Sequence, residues 1–314
     1  MKWLILLGSC ITVIAPLSTF AEEAPVISQV TATRDLYPDW SPDGKTLVFN
    51  SDRNSGIGKG FDLYRIEADG SGLTRLTNST ESEEAPVWSP DGTRILYSAY
   101  LTRENSELFM IDPDGGNKQQ ITNAAGRDGH AKFAPDGNSV IFNSQRDEAD
   151  GYEIYELTLA NNKVTRLTDF KGWDTYADIS PDGTKIVWRR VLPTGGSSSS
   201  GRNSEIFTMN RDGTGATNIS NHADFDGYPA WSPDSSKIIF ASNRGHQGDD
   251  RGNFHIYTMN PDGSDVQRLI ENGPSVEDAR PRWSKDGKRI VFNRQYVADN
   301  SSIDILIYEV PEKN

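Results

Sequence analysis

The sequence predicts an all-β fold, a six-bladed β-propeller of four-stranded blades, and three observations carry that prediction. A short phrase, an apolar residue followed by Ser/Ala-Pro/Lys-Asp-Gly/Ser, returns six times, as Trp40–Gly44, Trp88–Gly92, Phe133–Gly137, Ile179–Gly183, Trp231–Ser235 and Trp283–Gly287. Its leading residues stand 48, 45, 46, 52 and 52 positions apart, a period that fits four short strands and marks a propeller blade. Between the copies, the same succession of strand-like runs and turns recurs.

Taken in order, the first element is a targeting segment. Lys2 precedes an almost wholly apolar run from Trp3 to Ile14, Pro16 interrupts it, and Thr19-Phe20-Ala21 places small residues where a signal peptidase reads. The expected organisation is a signal peptide over residues 1–21 and a single propeller over residues 22–314, exported to the periplasm or secreted. A lipoprotein reading at Leu7–Cys10 is set aside because the apolar stretch before Cys10 is too short. Cys10 is the only cysteine, so the processed chain is expected to carry no disulfide and no Cys metal site. No later apolar run approaches the ~20 residues that span a bilayer. The formal charge of −13 opposes binding to nucleic acid or an anionic membrane and suits solubility or cationic ligands.

The second repeat shows the grammar of a blade. Ala85–Trp88 is extended, and Ser89-Pro-Asp-Gly92 is a turn in which Pro presets φ and Gly takes the positive φ that closes it. Arg94–Ser98 and Glu107–Ile111 are rich in β-favouring residues, Asp112–Gly116 is a second turn, and Lys118–Thr122 is a more polar outer strand. Outer strands end as Arg75-Leu-Thr77, Gln120-Ile-Thr122, Arg166-Leu-Thr168, Asn218-Ile-Ser220 and Arg268-Leu-Ile270. The sixth blade has no such ending of its own. Ser28–Thr31, ahead of Trp40, is expected to supply it and close the ring, leaving no exposed sheet edge.

These turns, the Arg-Leu-Thr endings and the three Phe-x-Ser-x-Arg copies (Phe49–Arg53, Phe142–Arg146, Phe240–Arg244) resemble the TolB-type β-propeller family over residues 26–310. The resemblance implies an envelope protein of the periplasm. The N-terminal α/β domain that precedes the propeller in that family is not expected here, because the propeller is expected to follow the signal directly.

The short turns are expected on one face and the variable loops, including Asp52–Gly60, Leu192–Asn203, Asn243–Asn253 and Gln295–Ser302, on the other. Function is expected on the loop face. Five residues before each leading residue stands a carboxylate: Asp35, Glu83, Asp128, Asp174, Asp226 and Asp278. This acidic ring has two readings. It is a set of structural clasps for Arg53, Arg146, Arg190, Arg244 and Arg294, or a ligand site for a cation such as Ca²⁺, a basic peptide terminus or a small polar molecule. Strand alternation puts the residues two further on, Tyr37, Ala85, His130, Tyr176, Tyr228 and Arg280, on the same side. Together with Trp173 and Phe225, the non-repeated members Tyr37, His130, Tyr176, Tyr228 and Arg280 are the candidate ligand-binding residues of the channel mouth. The Asp-x-Asp-Gly segments lack the later ligands of a calcium loop and read as turns.

No nucleophile elbow, zinc-binding His-Glu-x-x-His or phosphate loop occurs, and the four histidines are scattered over different blades. No cofactor is expected. The leading expectation is a noncatalytic exported scaffold that binds an envelope protein or peptide at the channel mouth. The competing one is a carbohydrate-active hydrolase or lyase using His130 and the acidic rim.

Overall fold

Each repeated phrase folds as the turn its residues favour. In the computed structural model, which describes residues 26–54, 60–147, 150–192, 203–245, 253–273, 275–296 and 302–311, the Gly44 N–H donates to the Ser41 carbonyl at 2.8 Å. The Ser41 hydroxyl donates to Asp43 at 2.6 Å and accepts from the Thr46 N–H at 3.0 Å, so one side chain fastens both arms of the hairpin. Ser89, Ser180, Ser232 and Ser284 repeat the arrangement. The closing position needs a left-handed residue: Gly44 has φ 68°, and Ser235 holds φ 60° where the other copies have glycine. The signal peptide expected over residues 1–21, with Cys10, and most of the Ser-rich loop lie outside the described residues.

These hairpins build six four-stranded antiparallel sheets, as the sequence predicts. The innermost strands are Asp35–Trp40, Ser82–Trp88, Asp128–Phe133, Trp173–Ile179, Asp226–Trp231 and Val276–Trp283. In the sixth sheet the outer place is taken by Ile27–Gln29, paired to Ile303–Glu309 with Ile27 opposite Tyr308 and Gln29 opposite Leu306. Side chains repeat the fit. Thr77, Thr122 and Thr168 each accept a third-strand N–H at 2.9 Å, and Thr31 does the same for Ile305 at 3.2 Å. The first strand thus occupies the slot of every Arg-Leu-Thr ending.

The apolar core lies between blades. Six clusters fill the six interfaces; one packs Trp40, Leu47 and Phe49 of the first blade on Val291, Ile305 and Ile307 of the last. Burial of this kind, about 25 cal/mol per Å², makes each blade depend on both neighbours and holds the axial strands rigidly.

Candidate functional site

The innermost strands carry the site, and each is broken at the same place. Pairing with the second strand slips between Leu36 and Asp39, Glu84 and Val87, Gly129 and Lys132, Thr175 and Asp178, Gly227 and Ala230, and Ala279 and Arg282. Inside each bulge one non-glycine residue takes a positive φ: Tyr37, Ala85, His130, Tyr176, Tyr228 and Arg280, at 48° to 56°. A bulge re-aims a side chain, and such backbone costs about 1–3 kcal/mol per residue. In two blades the slipped N–H is caught by a second-strand asparagine of the preceding blade: Tyr37 N–H donates to Asn293 at 3.1 Å and Ala85 N–H to Asn50 at 3.2 Å.

The re-aimed side chains meet across the axis. The Tyr37 and Tyr176 hydroxyls, from opposite blades, are 3.2 Å apart. The His130 ring packs tilted against Tyr176 at 4.1 Å and Tyr37 at 5.5 Å between centroids, and Tyr228 packs edge-on to Tyr176 at 4.8 Å. Arg280 lies over both Tyr37 and Tyr228, 4.5 and 4.8 Å from their centroids. The channel is therefore plugged. Burial and the guanidinium groups of Arg189, Arg280 and Arg282 push His130 down to about 3, so it is neutral at physiological pH. Its Nδ1 is 3.1 Å from the Asn143 side-chain oxygen.

The candidate residues divide into three placements. Tyr37, His130, Tyr176, Tyr228 and Arg280 form the plug. Phe225 adjoins it, 6.0 Å from Tyr228 and 4.8 Å from Phe254. Trp173 stands apart, 38% exposed on the loop-face rim, with its indole N–H on the Asp150 carbonyl at 3.0 Å.

The acidic ring faces its own blades. Asp35, Asp128 and Asp226 pair with Arg53, Arg146 and Arg244 at 2.6, 2.8 and 2.5 Å. Asp174 and Asp278 bind Arg190 and Arg294 through two bonds each. Glu83 has Lys118 at 3.4 Å. All six carboxylates are buried. The Phe-x-Ser-x-Arg phrase is explained by this clasp: the Arg146 Nε donates to the Ser144 hydroxyl at 2.9 Å and its guanidinium lies over Phe142 at 5.0 Å.

One step further along each strand is a layer that reading the sequence in steps of five and three back from the leading residue passes over: Asp39, Val87, Lys132, Asp178, Ala230 and Arg282. Lys132 Nζ is 3.1 Å from Asp39 Oδ1, and burial with the nearby Arg282 charge lowers its pKa. Asp39 and Asp178 accept the backbone N–H of Trp88 and Trp231, the leading residues of the next blades, at 3.0 and 2.9 Å. Between this layer and the plug is a cavity of about 30 Å³, room for about one water. On the other side the axis widens into a funnel of about 540 Å³, walled by leading residues and turn prolines of the repeats, with Lys285 where the other five turns have proline. It opens on the Ser-Pro-Asp-Gly face, where the sequence suggests only a fastening. Arg189 was also missed. It fills the second-strand place of Asn50, Asn143 and Asn293, and lies 4.7 Å over Tyr176; that break in the repeat was its signal.

The family model described as the TolB beta propeller domain matches residues 77–192 and 195–312. An uncharacterized protein of Agrobacterium fabrum is 27% identical over 85% of this chain and 87% of its own length. The Tol-Pal system protein TolB of Francisella tularensis is 28% identical over 45% of this chain, which spans only 30% of that protein. Among solved structures, one from Agrobacterium tumefaciens described as a candidate TolB superposes with a TM-score of 0.65 at 23% identity, covering 91% of this chain and 97% of that one. An oligogalacturonate lyase in complex with manganese superposes at 0.59 with 13% identity, covering 91% and 93%, a likeness of fold alone.

Proposed function

The chain belongs to the TolB β-propeller family, and from that premise we propose that it is an exported, noncatalytic scaffold that binds an envelope peptide or protein in its axial funnel. One observation carries the reading. A channel plugged by Tyr37, His130, Tyr176, Tyr228 and Arg280 leaves a blind, rigid socket of about 540 Å³ rather than a pore, and concave sites of this size on fixed strands suit recognition. The lining mixes aromatic and proline surface with a few charges, the composition of a peptide-binding socket. A family relative named for the Tol-Pal system is consistent with an envelope setting. Among the described residues no helix is long and apolar enough to cross a membrane. The catalytic alternative draws little from His130, which is neutral, packed between two tyrosines and a poor base at a pKa of about 3.

The test blocks the funnel at its rim. Pro135 and Pro181 line it and are exposed, so Pro135→Trp/Pro181→Trp narrows the opening without touching the core. The expected result is capture of an envelope protein by the wild type and its loss in the blocked variant at unchanged melting temperature. Equal capture by both rejects the funnel as the site.

A further inference from the structure

Resting on that reading of the funnel, we propose that the partner segment it takes is acidic, a stretch bearing Asp or Glu side chains held by Arg282 at the floor and Lys285 at the rim. Three cations, Lys132, Arg282 and Lys285, and two carboxylates, Asp39 and Asp178, line the funnel. Asp39 is ion-paired with Lys132 and also accepts the Trp88 N–H; Asp178 accepts the Trp231 N–H and keeps its charge, so the lining holds one positive charge in surplus. Among the described residues, Arg282 and Lys285 are not ion-paired as Lys132 is. Arg282 lines both the funnel and the small cavity above it, and its hydrogen bonds run to the carbonyls of Pro229 and Pro281 at 3.2 and 3.0 Å. Carbonyls orient a guanidinium but do not neutralise it. Among the described residues no carboxylate pairs with Arg282 or Lys285.

Lys285 is an independent departure from the repeat. Proline suits that turn position, and five of the six blades keep it; the sixth replaces it with an exposed cation on the funnel wall. Behind the floor the same sign continues. Among the described residues, Arg280 and Arg189 lie against aromatic rings with no carboxylate in ion-pair contact, and Arg280 acts only at longer range on Glu84 and Glu277. The depressed proton affinity of His130 reflects these three guanidinium groups as well as its burial. The aspartates of the six turns do not reverse the balance. Five fold back onto their own serine hydroxyls and backbone N–H groups, as Asp43 does; Asp136, whose turn has Ala134 in place of serine, accepts the Asn138 N–H, and none of the six lines the funnel. On a chain of net charge −13, a socket with surplus positive charge selects an acidic segment over a basic one.

A random dodecapeptide library displayed on phage, panned against the wild type and against Pro135→Trp/Pro181→Trp, isolates peptides that need an open funnel. The proposal expects these peptides to be net acidic and to weaken as salt rises. Lys285→Pro restores the turn of the other blades and keeps the fold; it should weaken binding about threefold, as for an exposed ion pair. Arg282→Gln should weaken it about tenfold or more, as for a charge-assisted bond. Funnel-dependent peptides that are neutral or basic, or that bind Lys285→Pro and wild type equally, overturn the acidic assignment while leaving peptide binding in place. Failure to recover any funnel-dependent peptide rejects the underlying reading itself. Trigalacturonate, run in parallel, reports the carbohydrate alternative: its binding in the absence of acidic peptides overturns the proposal.

Discussion

His130→Phe should remove a defined part of the protein's acid sensitivity. In the folded chain the ring sits between Tyr37 and Tyr176 and faces Arg189, Arg280 and Arg282, and its pKa falls from 6.5 to about 3. The folded value lies below the unfolded one, so between them the unfolded chain takes up a proton that the folded chain refuses. The contribution is therefore whole above pH 6.5 and is lost as the pH falls towards 3. Each unit costs about 1.4 kcal/mol, so at pH 5 the wild type should have lost about 2 kcal/mol through this one group. That figure is an upper bound, because the adjoining cavity of about 30 Å³ admits a water that screens the charge. Phenylalanine keeps the stacking but strands the Asn143 oxygen, at a cost of about 1–3 kcal/mol at all pH values. Urea unfolding at pH 7.5 and 5.0 separates the two effects. The variant should start lower and fall less between the two pH values. Equal losses in both proteins would refute the account of the plug. The buried acids Glu83, Asp128 and Asp278, whose pKa values burial raises, act with the opposite sign but are common to both proteins.

Four further outcomes are expected. Arg244→Ala leaves Asp226 buried without its ion pair and should cost about 3–5 kcal/mol in chemical unfolding, whereas melting should be identical in Ca²⁺ and in EDTA; a calcium-dependent melting temperature would show that the ring holds an ion. Deleting residues 22–32 removes the outer strand of the last blade and bares the edge of Ile303–Glu309, so the product should aggregate or melt far lower, and an unchanged melting temperature would reject the closure. Gly263→Ala should destabilise by about 2 kcal/mol or more, because its Cβ would lie 2.1 Å from the Ile219 carbonyl oxygen at φ 85°; a neutral effect in thermal melting would contradict this packing.

The sequence shows the scaffold clearly because every blade solves the same physical problem with the same residues. Ser41 and its equivalents fasten a hairpin, Thr77 and its equivalents cap a strand, and Arg146 clasps Asp128 over Phe142, so period and spacing reveal them. Ring closure by the first strand was legible for the same reason, through the empty sixth slot. The plug was half legible. Alternation brought Tyr37, His130, Tyr176, Tyr228 and Arg280 to one side, but the bulge that turns them into the axis leaves little mark in residue type, since Ala85 adopts it as readily as Tyr176. Trp173 and Phe225 hold the same place, one before the carboxylate, yet Phe225 packs beside Tyr228 whereas Trp173 turns to Tyr152 and the Asp150 carbonyl, a difference set by neighbours that the repeat does not encode. The layer of Asp39, Lys132, Asp178 and Arg282 was hidden by its variety, and so was the funnel. Which end of a propeller is open depends on how six different side chains meet across an axis, and no single blade encodes that.

The claim that the funnel is the binding site is tested most directly by photocrosslinking in envelope extract. A benzophenone side chain replaces Lys285 on the funnel wall in one protein and Trp173 on the loop-face rim in another, both exposed positions. Crosslinking of a partner from position 285 and not from position 173 is the predicted result. A partner captured only from position 173 would place recognition on the opposite face and contradict the account.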